Sequence, residues 1–334
     1  MKLTDKVLLT IKKYRLIDKN DSIVIALSGG PDSVCLLYLL NFFKKEFRLR
    51  LTCAHLDHML RGKDSLRDLL FAQRLSEKLK IPFYYKQIDV KKIKVNASLE
   101  ETARKARQDF LFKVAAKTKS SKIALGHTKD DQAETILMRL LRGAGLYGLS
   151  AILPKRKISK YILIRPVIEA NKIEILRYLK TKKIPYRIDH TNKEDSYFRN
   201  RIRNRLIPEL IKYNKNIVDI LASTAQSISL DYEYIKNMAQ NRLNRIITSR
   251  NSGPINLETK EFLKLHAALR RIALRLSIEK IKGDLRGIDY RHVYELEDLI
   301  ENRKTGSIVD LPGGISVLKT AGLIKLYFRH KNLA

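Results

Sequence analysis

The sequence is poor in several residue types, and each shortage excludes a class of protein. Its 334 residues include no tryptophan and only two cysteines, Cys35 and Cys53. Two cysteines cannot form a disulfide framework or a cysteine zinc site, so a reducing compartment is expected. No apolar run reaches the ~18 residues that a membrane-spanning helix needs. The N-terminal MKLTDKVLLTIKKYRL has too short an apolar stretch for a signal peptide. We therefore expect a cytoplasmic protein without a membrane partner.

Acidic residues are scarce relative to basic ones. The chain has 67 Lys and Arg against 35 Asp and Glu, a formal net charge of +32. A polyanionic partner rewards such an excess, because Lys and Arg release counterions when they bind phosphates. A solvated, lysine-rich surface would also produce it. Hydrophobic residues make up 44% of the chain, which is enough for the cores of two or three domains.

Strand-like and helix-like segments alternate over the first 150 residues. The strand patterns cover 22–27, 50–55, 81–90 and 121–127, and helix patterns lie between and after them at 33–43, 65–80, 98–119 and 130–142. This alternation predicts an α/β fold with a parallel sheet covered by helices on both faces. Ligands of such sheets bind at the carboxyl ends of the strands. Three polar clusters follow strands there: SGGPDS at 28–33, HLDH at 55–58 and GHTKDD at 126–131.

The pattern changes after residue 150. A strand, a loop and a helix are predicted over 161–184, and basic helical sequence begins at about Lys215. Short strands are predicted over 306–328, around a Pro-Gly-Gly turn. We predict a catalytic domain over 1–212 and a mainly helical domain over 213–334 that ends in this β segment.

The turn SGGPDS suits a bound phosphate. Gly29 and Gly30 allow backbone N–H groups to converge on an anion, and the following helix adds its positive end. Ser28 and Ser33 add hydroxyl donors. Asp32 would repel a phosphate unless a cation lay between them, which indicates Mg²⁺. The turn alone leaves open a plain strand-to-helix connection in which the Asp caps the helix.

Four segments together resemble one family. They are SGGPDS at 28–33, HLDHMLR at 55–61, LEETARKAR at 99–107 and GHTKDDQAET at 126–135. The first resembles the PP-loop of ATP pyrophosphatases, and the set resembles the tRNA(Ile)-lysidine synthetases. The similarity continues into Asp189, Asn192, RNRIRNRLIP at 199–208 and LPGG at 311–314. It implies an adenine nucleotide α-hydrolase-like fold and the short form of the family, without a second C-terminal domain.

The resemblance implies a two-step reaction that uses ATP and Mg²⁺. ATP adenylates C2 of the wobble cytidine through its oxygen, in a tRNA(Ile) with a CAU anticodon, and releases pyrophosphate. Free L-lysine then displaces AMP and leaves lysidine. The expected location is a bacterial cytosol, or the stroma or matrix of an organelle of bacterial ancestry. Whether the chain forms a homodimer is left open.

The resemblance also assigns roles to residues. The ATP site would comprise Ser28, Gly29, Gly30, Pro31, Asp32, Ser33, His55, Asp57 and His127, with Asp32 as the metal ligand. The lysine site would comprise Arg107, Asp131 and Glu134, which together with Asp32 form the catalytic set. The tRNA would contact Arg139, Arg142, Arg199, Arg203 and Arg205.

The residue types fit these roles, but each has a simpler alternative. Asp131 and Glu134 lie three apart on one helix face and could receive an ammonium group, or they could be first-turn acids behind a Thr128 cap. Arg107 could bind the carboxylate of lysine in a bidentate pair, or an acid on its own helix. The family usually has Tyr after this arginine, and this chain has Gln108.

Three other functions compete with this interpretation. A PP-loop tRNA thiolase would commonly use a CxxC pair, which this chain lacks. A small-molecule amidating enzyme would need an ammonia source, and no glutaminase-like N-terminus is present. An RNA-binding protein without activity would not need the acidic pair. The sequence thus favours adenylation of a tRNA base.

Overall fold

The structure is a computed structural model, and it describes residues 1–59, 63–93, 99–188, 197–248 and 253–329. Leu60, Arg61, Asp189 and Asn192 of the family motifs lie outside the described residues. The chain divides into two compact units. The first comprises Met1–Leu141 and Ala151–Ala225, and the second comprises Arg142–Ser150 and Gln226–Ala334.

The first unit contains a six-stranded sheet. Its strands are β1 (Ser22–Ala26), β2 (Arg50–Asp57), β3 (Phe83–Gln87), β4 (Lys122–Ala124), β5 (Lys155–Ile158) and β6 (Tyr161–Ile164). They lie in the order β3-β2-β1-β4-β6-β5. All neighbours pair in parallel except β5 and β6, which are antiparallel. The sequence analysis did not predict β5.

Helices cover both faces of this sheet, as predicted. They are α1 (Leu3–Lys13), α2 (Pro31–Phe43), α3 (Lys63–Lys78), α4 (Leu99–Lys117), α5 (Lys129–Leu140) and α7 (Lys172–Thr181). Side chains alternate along β1, so Ile23 and Ile25 join the core with α1, α2 and α7, while Val24 joins the core with α4. Strands buried on both faces read as continuous apolar runs, which explains SIVIA.

The order of the strands in the sheet indicates where a ligand is expected to bind. The chain moves from β1 to β2 on one side and later returns to β4 on the other, so the order reverses between β1 and β4. Ligands of open α/β sheets bind at such a point, outside the carboxyl ends of the strands. The loops that follow β1 and β4 are SGGPDS and GHTKDD.

A helical segment follows the sheet in the first unit and packs on α5. It begins with α8 (Phe198–Arg201), continues as a π-helical turn (Ile202–Leu206) and ends with α9 (Ile207–Tyr213). Ile202 and Ile207 pack with Ala133 and Leu137 of α5. The segment is thereby fixed against the helix that carries Asp131 and Glu134.

The second unit has its own core. It contains α6 (Leu146–Leu149), most of α10 (Ile217–Ile246), α11 (Thr259–Leu263), α12 (Ala267–Lys282) and α13 (Tyr290–Glu301). Four antiparallel strands accompany them: β7 (Ile255–Glu258), β8 (Ile308–Leu311), β9 (Ile315–Lys319) and β10 (Leu323–Phe328), in the order β7-β10-β9-β8. The helical C-terminal part and the strands around LPGG are as predicted. The domain boundary at residue 212 stays a prediction.

Within the described ranges, no helix is both long and apolar enough to cross a membrane.

Candidate active site

The turn after β1 is closed by its own side chains. The Ser33 hydroxyl donates to the Gly30 carbonyl at 2.9 Å and accepts from the Ser28 N–H at 3.2 Å. Gly29 has φ +88°, a left-handed conformation that favours glycine. Helix α2 then begins at Pro31, with Gly30 at its N-cap. The turn therefore leads directly into the N-terminus of α2, and its contact with a phosphate stays a prediction.

Asp32 does not cap the helix; it pairs with a lysine. Lys172 Nζ lies 2.7 and 2.6 Å from the two carboxylate oxygens of Asp32. Burial raises the pKa of Asp32 above its ordinary value, and Lys172 opposes this shift. The interpretation of Asp32 as a helix cap is therefore wrong. The cation beside the Asp32 carboxylate in this structure is thus the Lys172 ammonium group.

Neighbouring loops hold Lys172 in this place. Asn171 caps α7 in a capping box with Glu174, and the Lys172 N–H donates to Asp130 Oδ2 at 2.8 Å. The Lys129 N–H donates to the Ala170 carbonyl at 2.9 Å. The N-termini of α5 and α7 are thus tied together. The sequence analysis missed Lys172 and Asp130, because nothing local shows that residue 172 meets residue 32.

The carboxyl end of β2 is held by hydrogen bonds. His55 is buried, and its Nδ1–H donates to the Leu27 carbonyl at 2.8 Å. Asp57 accepts from the Met59 N–H at 2.8 Å and from Gln87 Nε2 at 3.0 Å. Burial opposes ionisation of Asp57, but these hydrogen bonds outweigh it and lower its pKa. Both side chains support the edge of the sheet; their contact with ATP stays a prediction.

Gly126 brings the loop after β4 against the PP-loop. A Cβ placed on it would lie 3.1 Å from the carbonyl carbon and oxygen of Asp32 and from the Ser33 nitrogen. Only glycine fits there without displacing a neighbour. The motif glycine thus serves close packing between the two loops at the point where the strand order reverses.

His127 is held as a neutral ring. Arg165 Nε donates to its Nδ1 at 3.2 Å. Burial and the Arg165 charge lower the pKa of His127 to about 3. The proton therefore resides on Nε2, which can donate to an anion. The family resemblance predicts that His127 lies near the phosphates of ATP. The sequence did not indicate its hydrogen bond with Arg165.

Asp131 and Glu134 converge on two arginines. Arg199 Nη2 lies 2.7 Å from Asp131 Oδ1, and Arg199 Nε lies 2.7 Å from Glu134 Oε2. Arg203 Nε lies 2.5 Å from Glu134 Oε1. The Glu134 side chain is only 1% exposed. The two acids share one pocket, as their spacing predicts, and the pocket binds cationic nitrogen atoms.

Asp131 also caps its helix. Its Oδ2 accepts from the Thr128 N–H at 2.8 Å, and the Thr128 hydroxyl accepts from the Asp131 N–H. Burial favours the neutral acid, but the Arg199 charge and these contacts lower the pKa of Asp131. The two interpretations of Asp131 are therefore compatible, because one oxygen serves the cap and the other faces the pocket.

Arg107 is exposed, and its contact with the carboxylate of lysine stays a prediction. His58 lies nearby; burial and then Arg107 lower its pKa to about 4, and its buried Nδ1 has no hydrogen-bond partner in the described part of the chain.

The five arginines that were predicted to contact tRNA lie in different parts of the structure. Arg139 donates to the Ala151 carbonyl at 3.0 Å. Arg142 belongs to the second unit, and Arg205 lies on the π-helical turn. Arg199 and Arg203, predicted for tRNA, hold the acids instead in this structure. Contact of all five with RNA stays a prediction.

The state of the cysteines and the placement of possible metal ligands limit the reactions that this site supports. Cys35 and Cys53 are buried, and burial raises the pKa of each to about 12, so both remain thiols at neutral pH. Among the described residues, no cluster of three His, Cys, Asp or Glu could hold a metal. Mg²⁺ does not need such a cluster when phosphates supply the other ligands, and the Asp32 carboxylate suits that arrangement.

We predict that His127 does not titrate near neutral pH. In ¹H–¹⁵N spectra its ring should stay neutral, with the proton on Nε2, from pH 8 to 5, because protonation is opposed by burial and by Arg165. The unfolded chain takes up this proton near its ordinary pKa of ~6.5. This histidine's contribution to the free energy of unfolding should therefore decrease as pH falls from about 6.5 toward 3.

Two variants complete this test. His127→Gln assigns the signal, and Arg165→Gln should raise the pKa of His127 without restoring its ordinary value, since burial remains. A titration midpoint near 6.5 in the unmodified protein would contradict the geometry.

Comparison with known proteins identifies the family. The PP-loop domain family matches residues 2–210. A tRNA(Ile)-lysidine synthase from Clostridioides difficile is 39% identical over 94% of this chain and 68% of its own length. One from Clostridium tetani is 37% identical over 98% of this chain and 69% of its own length.

A solved structure shares the fold. A U34-tRNA thiolase from Methanococcus maripaludis, determined with its 4Fe–4S cluster, has a TM-score of 0.55 and 20% identity over 70% of this chain and 78% of that one. This likeness shows the fold alone. The family match and the two synthases confirm the resemblance carried by the four motifs, and the chain therefore belongs to the tRNA(Ile)-lysidine synthase family of PP-loop enzymes.

Proposed function

We propose that this enzyme joins free L-lysine to C2 of the wobble cytidine in a tRNA(Ile) with a CAU anticodon. The observation that carries the proposal is the pocket of Asp131 and Glu134, which binds cationic nitrogen atoms beside the PP-loop. The PP-loop domain implies the use of ATP. A pocket for an ammonium group next to a nucleotide site is what lysine transfer requires.

In the first step the C2 oxygen of cytidine attacks the α-phosphorus of ATP, and pyrophosphate leaves. The turn 28–33 and the N-terminus of α2 donate N–H groups to the phosphates. His127 Nε2–H adds a neutral donor, and Lys172 adds a positive charge. Mg²⁺, held by Asp32 and the phosphates, would neutralise charge on the leaving pyrophosphate.

In the second step the ε-amine of lysine attacks C2, and the bond from C2 to the AMP oxygen breaks. The amine must be neutral to attack, although its ordinary pKa is ~10.4. Asp131 and Glu134 would first bind the ammonium group and then accept its proton. Arg107 would bind the α-carboxylate. The product is lysidine, and AMP leaves.

A thiolase is the rival function, and the structure gives it no support. Both cysteines are buried and carry pKa values near 12, so neither offers a thiolate to a sulfur donor. Formation of a homodimer stays a prediction.

The first test is lysine incorporation. Purified protein is incubated with radiolabelled lysine, Mg²⁺ and an unmodified tRNA(Ile) transcript with a CAU anticodon, with and without ATP. We expect label on the tRNA only with ATP, and none on a transcript whose wobble cytidine is replaced by uridine. Pyrophosphate release without label would refute lysine as the nucleophile and retain the PP-loop's role.

Gly126→Ala should weaken ATP binding in the absence of RNA. The added Cβ would press on Asp32 and Ser33 from 3.1 Å, and overpacking of this kind costs roughly 1–3 kcal/mol, or about tenfold in Kd. Isothermal titration with MgATP measures the effect. Gly145→Ala is the matched control, since no described heavy atom lies within 4 Å of a Cβ there and its φ of −75° accepts alanine. Equal Kd values for the two variants would show that this loop contact does not shape the ATP site.

Glu134→Gln should separate the two steps. Loss of the proton acceptor should slow lysine transfer by roughly 100-fold or more, while tRNA-dependent pyrophosphate release continues. Glu46→Gln, on the exposed surface, is the matched control. Because Glu134 also holds Arg199 and Arg203, thermal unfolding of the variant must be followed in parallel. Lysine incorporation at the normal rate would remove Glu134 from the site.

A further inference from the structure

A groove lies on the segment that holds the two acids. It has a volume of about 420 Å³ and is lined by Phe198, Arg201, Ile202, Arg205, Leu206 and Glu209. It is shallow and open to solvent. None of the roles described above uses the groove as a whole.

The lining falls into two rows with helical spacing. Phe198, Ile202 and Leu206 lie four apart and form an apolar floor that packs on α5. Arg201, Arg205 and Glu209 also lie four apart, and all three are exposed at the rim. Residues four apart share one face of a helix, so an apolar floor runs beside a polar rim.

The floor and the rim have the chemistry of a nucleotide site. The Arg201 guanidinium lies 5.5 Å from the centre of the Phe198 ring and covers one face of it, a place that a nucleobase would take from the guanidinium. Nucleobases stack on aromatic rings and on guanidinium planes. Arginines on the rim attract phosphate. At the far end Glu209 accepts from Lys212 at 2.6 Å, so its charge is offset.

The groove also has the right position. Arg199 and Arg203 on the same segment contact Asp131 and Glu134, and Phe198 and Ile202 directly precede them in the chain. A helix with its side chains is ~10–12 Å across. The groove and the arginines that bind the acids therefore lie on neighbouring sides of one helical segment.

We propose that this groove binds one nucleotide of the tRNA anticodon loop, the one adjacent to the reacting cytidine. Its base displaces the Arg201 guanidinium from the face of Phe198 and stacks there over the apolar floor, and its phosphates contact Arg201 and Arg205. The proposal rests on the proposed function for the identity of the RNA. Extraction of a base from its stack costs free energy, and a stacking site for the neighbouring base offsets part of that cost.

The test uses a fluorescent anticodon stem–loop. In an unmodified RNA hairpin with a CAU anticodon, 2-aminopurine replaces the adenosine that follows the reacting cytidine. Stacking on Phe198 should quench its emission on binding. Phe198→Leu keeps the apolar packing and removes the ring; we expect a Kd about tenfold larger and loss of the quench. Arg201→Gln should raise the Kd about threefold and weaken its salt dependence.

Two matched controls complete the design. Tyr213→Leu removes an aromatic ring that is 83% exposed on the same segment, and Arg177→Gln removes an exposed arginine on α7. Both should bind the hairpin like the unmodified protein. Normal Kd and normal quenching in Phe198→Leu and Arg201→Gln would overturn the proposal. If both variants bound RNA normally but melted at a lower temperature, the two side chains would serve packing within the protein, and the proposal would be overturned as well.

The lysine assay separates this inference from the proposed function. If the unmodified protein labels tRNA with lysine and Phe198→Leu binds RNA normally, only the groove assignment fails. If no lysine is incorporated but Phe198→Leu loses hairpin binding, the groove stands as an RNA site and lysidine formation fails.

Discussion

The active site depends on the compensation of two carboxylates that lie in the protein interior. Asp131 and Glu134 begin α5 beside the carboxyl end of β4, and Glu134 is almost fully buried. A buried carboxylate is costly unless it is paired and hydrogen-bonded. Arg199 and Arg203 provide those partners. The position of the α8–α9 segment against α5 is therefore coupled to the charge of the pocket.

The same requirement explains the other contacts of the cleft. Asp32 pairs with Lys172, and the backbone of Lys172 bonds to Asp130. Acids and bases thus alternate around the point where the strand order reverses. Each of these carboxylates therefore has a cationic partner from a distant part of the chain.

Backbone packing sets the distance between the two halves of this cleft. Gly126 allows the loop after β4 to approach the first turn of α2 to within van der Waals contact. The turn at 28–33 and the helix that carries the two acids therefore lie close together. Arg165 fixes the ring of His127 beside both. Close packing requires glycine at position 126, and burial with the Arg165 charge keeps the His127 imidazole neutral.

The sequence by itself determined the fold class and the family, and it predicted that Asp131 and Glu134 share a pocket. Its apolar runs require strands buried on both faces, and its turns carry polar groups at the strand ends. The spacing of Asp131 and Glu134 indicates one shared pocket because helical geometry is local. The four motifs add the family, since together they are specific.

Only the tertiary structure decided which charges meet. Lys172 is 140 residues from Asp32, and Arg199 is 65 residues from Glu134, so no local pattern could pair them. Strand β5 was missed because an edge strand of charged residues, KRKI, has no buried face to give it an apolar period. Whether Arg199 and Arg203 face RNA or acid follows from the packing of Ile202 and Ile207 on α5. Local sequence fixes which face of an element is apolar, and contacts between distant elements fix what each polar group binds.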